Sequence, residues 1–161
     1  MAATREIVAS YRNPAAVIAR LLGQGTREDR NLIYLMVACL IFFVAQTPRL
    51  ARESFIDGTE LNMLLGASLM AWLFVAPLML YGLAGVTFVI LKILRGNPTG
   101  YATRLALFWA LLASSPVLLL HGLTAGFVGP GIELQIVGLI WFCIFSWFWI
   151  SGLRVAYRQS K

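Results

Sequence analysis

Apolar positions dominate this chain in four long blocks. Residues 31–48, 61–91, 105–132 and 134–153 contain no Asp, Glu, Lys or Arg. An α-helix needs about 20 apolar residues to cross the ~30 Å hydrocarbon core of a bilayer. The pattern therefore predicts an all-α, polytopic transmembrane helical bundle with four spans, about 32–47, 62–91, 105–123 and 134–153. Span one is expected to end at Pro48, because proline lacks the N–H that a helix needs. As a helix, the second block would reach roughly 46 Å at ~1.5 Å per residue, too little for two crossings. It reads as one span with overhang, tilt or a kink. Pro77 can supply that kink, and Pro116 offers another in span three.

The first 30 residues pattern differently. Ile7, Val8, Tyr11, Val17, Ile18, Leu21 and Leu22 recur at spacings of three and four, with Arg5, Glu6, Arg12 and Arg20 largely between them. This predicts an N-terminal amphipathic surface helix, broken once at Asn13-Pro14. Asn suits an N-cap and Pro the first helical position, and Gly23 can end the second piece. Its apolar side is expected to face the membrane and its arginines the headgroups. Packing on the other spans or on a partner protein is the second reading. There is no continuous apolar core before Asn31, so a cleavable signal peptide is not expected and span one should be retained.

Charge gives these elements an orientation. The sequence holds 13 basic and 7 acidic residues in 161, a net charge of +6. Basic residues fall five in segment 1–30, three between spans two and three, and three in the tail 154–161. The other two connections carry two and none. With four spans, the positive-inside rule places segment 1–30 and the tail in the cytoplasm. Basic flanks of this kind bind anionic lipid and need no nucleic-acid partner. The composition, 60% hydrophobic and 12% charged, fits lipid rather than water as the solvent.

Candidate chemistry is sparse. Charge inside a span usually marks transport or catalysis, and the only ionisable candidate is His121, expected near the outer boundary as an interfacial hydrogen-bonding residue. Cys39 and Cys143 each lie alone in an apolar block, so no disulfide is expected. Ser114-Ser115-Pro116 lacks a base, and its serines are expected to satisfy carbonyls freed by the proline. No phosphate loop, zinc-ligand helix or nucleophile elbow occurs. No catalytic residue, cofactor or metal is therefore expected.

Two sets of residues are expected to make contacts. Arg12, Arg20, Arg95, Arg104, Trp147 and Trp149 are candidates for the lipid headgroup interface. Ala67 and Ala71 on span two, and Ala106, Ala110 and Ser114 on span three, form small-residue faces through which those two spans should pack. Gly122 and Gly126 add a G-x-x-x-G at the end of span three.

The chain resembles the bacterial branch of the Yip (Ypt-interacting-protein) domain family of small membrane proteins. The likeness rests on Tyr11-Arg12-Asn13-Pro14, and on Gly96-Asn97-Pro98-Thr99 leading through Leu105-Ala106-Leu107-Phe108-Trp109-Ala110 to Pro116. It implies an integral inner-membrane protein and no catalytic residues. Members commonly have about five spans where this chain has four. The acidic-aromatic motif tied to Rab-type GTPase binding is missing, so no trafficking role is implied.

The expected function is structural or accessory, with membrane lipids and other membrane proteins or self-association as partners. A small transporter or permease subunit for neutral solutes, with Pro77 and Pro116 lining a path, is the alternative. A lipid-acting enzyme using Arg95, Asn97 and Arg104 is the third.

Overall fold

The computed structural model describes residues 2–94 and 98–158, and every regular element among them is helical. Helices α1 (Ala2–Arg12) and α2 (Pro14–Gly23) precede α3 (Glu28–Asp57). Then come α4 (Leu61–Met70), a π-helical turn (Ala71–Val75) and α5 (Ala76–Ile93), which together form span two. Helices α6 (Gly100–Phe127) and α7 (Ile132–Arg158) complete the chain. Four helices, 28–57, 61–93, 100–127 and 132–158, are long and apolar enough to cross a membrane. The chain is an all-α helical bundle.

Span three is the axis of the bundle. In its most apolar window 72% of residues are buried, against 33% in α3, 17% in α7 and 6% in span two. Every residue from Leu105 to Ala113 is at most 5% exposed. α3 runs alongside α6 in the same direction. Arg30 donates to the Tyr101 hydroxyl at one end (2.9 Å), and Arg52 donates to the Gly126 carbonyl at the other (3.2 Å). α7 runs antiparallel to α6, with Gly152 beside Ala106 and Gly138 beside His121. Both described chain ends and Pro98–Thr99 therefore share one end of the bundle, here the terminal end. The connections 58–60 and 128–131 lie at the opposite, loop end.

The α3–α6 pair approaches through glycine. A Cβ added to Gly122 would lie 1.9 Å from the Ala45 carbonyl oxygen, and one on Gly126 would lie 2.5 Å from Pro48 Cβ. The G-x-x-x-G thus packs on span one. The expected pairing of spans two and three through small residues is corrected here. Ala67 and Ala71 are exposed. Ala106, Ala110 and Ser114 are fully buried, and Ala106 meets Gly152 of α7. Small residues permit close approach on any face, and in lipid the outward face is as apolar as the inward one.

Prolines behave in three ways. Span one does not end at Pro48, as expected from the sequence, but continues to Asp57. The Thr47 hydroxyl donates to the Val44 carbonyl (2.7 Å), the group that proline leaves without its N–H. Termination falls instead to Gly58 in the left-handed region (φ 69). Before Pro77 the helix widens into the π turn, which relieves the ring's clash with the preceding turn. α6 passes unbroken through Pro116, which is exposed. Ser114 donates to the Leu111 carbonyl (3.1 Å), not to the Leu112 carbonyl that Pro116 leaves without its N–H, so the expected serine rescue is not the one formed.

At the terminal end α1 and α2 fold back on each other around Asn13. The Asn13 side chain caps α2 by accepting from the Ala16 N–H (3.1 Å), with Pro14 at the first helical position. The expected break is found. The apolar face of α2, however, turns inward, while Val8 of α1 stays 67% exposed. Val17, Ile18 and Leu21 are at most 3% exposed, and a Cβ on Gly152 would lie 3.0 Å from Ile18 Cδ1. An amphipathic stripe fits a groove between spans as well as a membrane surface, and here the groove between α6 and α7 takes it.

Candidate functional site

A charged groove opens at the loop end. Arg49, Glu53 and Asp57 follow at four-residue intervals, which stacks them along one face of α3. With Arg52 they line a cavity of about 380 Å³. Its other walls are Ile56 of α3, Ala125 of α6, Pro130 of the turn and Leu134 of α7. Small-molecule sites typically occupy ~300–1,000 Å³ with apolar walls and few polar groups, so this cavity has the size and mix of one.

The two arginines do different work. Arg52 donates to the Gly126 and Phe127 carbonyls (3.2 and 3.3 Å), which caps the C-terminal end of α6. Its guanidinium also crosses Gly129, whose φ of 90 and missing side chain make room for it. Arg49 is freer. It faces Glu53 at 3.6 Å, and the two side chains are 56% and 41% exposed. A pair so loose and so wet contributes little to stability, ~0.2–1 kcal/mol at most. Arg49 also lines a smaller adjoining cavity of about 70 Å³ with Gln46 and His121. The half-buried His121 thus sits near the loop end as expected. Among the described residues no three His, Cys, Asp or Glu side chains gather as a metal-holding group.

The terminal end carries a polar latch. Trp109 Nε1 donates to Ser10 Oγ (3.0 Å) in a fully buried contact between α6 and α1. Ser10 in turn donates to the Glu6 carbonyl (2.8 Å). Arg20 pairs with Glu6 (2.7 Å) across the hairpin. Arg30 reaches the Leu21 carbonyl (2.6 Å), tying the end of α2 to the start of span one. Tyr11 packs edge-on against Phe148 (5.1 Å), and burial pushes its phenol pKa above the ordinary value. Midway between the ends, Phe42, Trp72, Trp141 and Phe145 border an apolar cavity of about 340 Å³ between α3, span two, α6 and α7.

No protein-family model, curated protein or solved structure matches this chain.

The interface candidates divide. Arg12 is exposed at the hairpin turn. Arg20 and Arg104 are held by the carboxylates of Glu6 and Glu28, which leaves them less free for lipid than expected. Arg95 lies outside the described residues, as does Asn97. Trp147 is 48% exposed, as an anchor would be. Trp149 stacks on Phe145 (5.6 Å) with its Nε1 buried and without a hydrogen-bond partner among the described residues, which departs from the expected interfacial role. Cys39 is buried and Cys143 exposed, both as free thiols.

Sequence reasoning missed the loop-end groove. The signal was available: Arg49 and Arg52 are the only basic residues between the first two spans. The charge bias alone marks them only as the poor side, and the groove appears once their shared position on one helix is considered. Ser10 and Trp109 carried no comparable signal, because a buried pair 99 residues apart has no local pattern.

Proposed function

We propose that this chain is a small integral protein of a bacterial inner membrane, with both termini cytoplasmic and a structural or accessory role. It contacts lipid and either a larger membrane assembly or copies of itself. One observation carries this reading: α6 is enclosed by its neighbours while span two, with only 6% of its most apolar window buried, is left almost bare. Ala67, Ala71, Gly82 and Gly85 all lie on its exposed surface. Small residues there allow another helix to approach closely in lipid, where packing rather than the hydrophobic effect drives association.

Transport of neutral solutes finds less support. A path through the bundle would have to pass α6, whose residues Leu105 to Ala113 are packed solid. The lipid-acting reading is weakened by Arg104, which Glu28 already engages. The likeness to the Yip family remains a proposal alongside this one.

Extraction in mild detergent, followed by native gels and mass spectrometry, tests the accessory role. The expected result is a species larger than the 17.8 kDa chain, reduced by Ala67→Phe or Ala71→Phe. A chain that always migrates alone contradicts it.

A further inference from the structure

We infer that the loop-end groove is a binding site for the headgroup of a zwitterionic, primary-amine phospholipid. The phosphate would engage Arg49 and the ammonium Glu53 and Asp57. The inference rests on the membrane placement proposed above.

Four observations carry it. The cavity is lined by two guanidiniums and two carboxylates, so it is neutral overall and built of opposite charges. A purely anionic headgroup would meet the carboxylates and a simple cation the arginines. A ligand with both charges a few ångströms apart satisfies both. Second, Arg49 and Glu53 pair only loosely at 3.6 Å, so inserting a zwitterion costs little and replaces one weak pair with two. Third, Ala125 and Leu134 add apolar walls at the level of Arg49, where acyl chains would leave a headgroup, while Ile56 and Pro130 close the groove on the loop side. A free zwitterion has no use for such walls. Fourth, the groove is at headgroup depth. Residues 31–48 are free of charge, and at ~1.5 Å per residue they cover roughly 27 Å, close to the thickness of the hydrocarbon core. Arg49 is the next residue.

A primary ammonium matters because it donates hydrogen bonds to carboxylates, which a quaternary ammonium cannot. Phosphatidylethanolamine is therefore expected to bind better than phosphatidylcholine or phosphatidylglycerol. Arg52 serves as the wall that holds α6 in place and is left out of the test.

The full chain is reconstituted into nanodiscs with equal amounts of the three lipids. Lipids retained after release from the discs are counted by native mass spectrometry. Wild type should retain phosphatidylethanolamine over phosphatidylglycerol by roughly 1.4- to 5-fold, the range set by one partly exposed ion pair. Arg49→Gln should lower retention of both. Glu53→Gln should reverse the preference toward phosphatidylglycerol, and Glu60→Gln, an exposed carboxylate at the same end but outside the groove, should change nothing. If Arg49→Gln does not fold by circular dichroism, the Glu53→Gln reversal still decides. Equal retention of the three lipids by wild type overturns the inference. So does an unchanged ratio in Glu53→Gln. Displacement of the lipid by water-soluble glycerophosphoethanolamine at low concentration would assign the site to a free zwitterion and overturn the lipid claim. A carbonate wash separates the two levels. A chain released by it refutes the membrane placement, whereas a retained chain with no lipid preference refutes the headgroup site alone.

Discussion

Replacing Gly122 with alanine places a methyl group 1.9 Å from the Ala45 carbonyl oxygen. Carbon and oxygen meet without clash at ~3.3 Å, so α3 and α6 must separate by roughly 1.4 Å at this level. Neither side can yield cheaply, because the clash is with helical backbone. A gap of ~0.5–1 Å already forfeits a quarter to a half of each dispersion well, and the neighbouring contact of Gly126 with Pro48 would loosen too. Overpacking of this kind costs ~1–3 kcal/mol. The upper half of that range applies, since lipid offers no hydrophobic compensation. For a chain of this size ~1 kcal/mol moves the Tm by about 2–4 °C, so a fall of roughly 4–12 °C is expected in detergent. Gly82→Ala is the control. Nothing lies within 4 Å of a Cβ there, so Tm should hold or rise with the better helix propensity of alanine. A Gly122→Ala variant that melts at or above wild type, or a Gly82→Ala variant that falls as far, would refute the glycine-mediated α3–α6 contact.

Other substitutions probe the remaining joints. Ser10→Ala should cost ~1–3 kcal/mol, because it leaves the buried Trp109 N–H without its partner. Adding Trp109→Phe should cost less than the sum of the two single changes in thermal melts, and strict additivity would deny that the contact exists. The same Ser10→Ala change should make the segment before Gly23 more sensitive to protease, and an unchanged cleavage rate would show that the hairpin is held otherwise. Thr47→Val keeps the side-chain shape and removes the donor to the Val44 carbonyl, with an expected loss of ~0.5–1.5 kcal/mol. Unchanged stability would show that the carbonyl beside Pro48 needs no such rescue.

The elements were legible in the sequence because lipid imposes a simple rule. Charge is excluded from the hydrocarbon region, so gaps in charge mark spans, and each of the four was found. The Asn13-Pro14 break was also legible, since capping chemistry is local. Helix pairing was not. Ala67–Ala71 and Ala106–Ala110 carry the same spacing, yet the first pair is exposed and the second fully buried. In water, polarity would have told the outward face from the inward one. In lipid both are apolar, and only three-dimensional packing separates them. The end of span one was not legible for a related reason. Pro48 breaks a helix when its freed carbonyl is orphaned, and whether Thr47 can reach that carbonyl is a matter of geometry. The amphipathic pattern of segment 1–30 specified a face to be buried and left open what would bury it.

In a four-span bundle, segment 1–30 and the end of α7 share one side of the membrane. Single cysteines introduced into a Cys39→Ala, Cys143→Ala background test it most directly. Sites at Thr26, Thr59, Pro130 and Arg158 would be labelled with a membrane-impermeant maleimide on intact spheroplasts. Rapid labelling is expected at Thr59 and Pro130, and labelling at Thr26 and Arg158 only after permeabilisation. Labelling of a terminal and a loop-end site from the same side would contradict it.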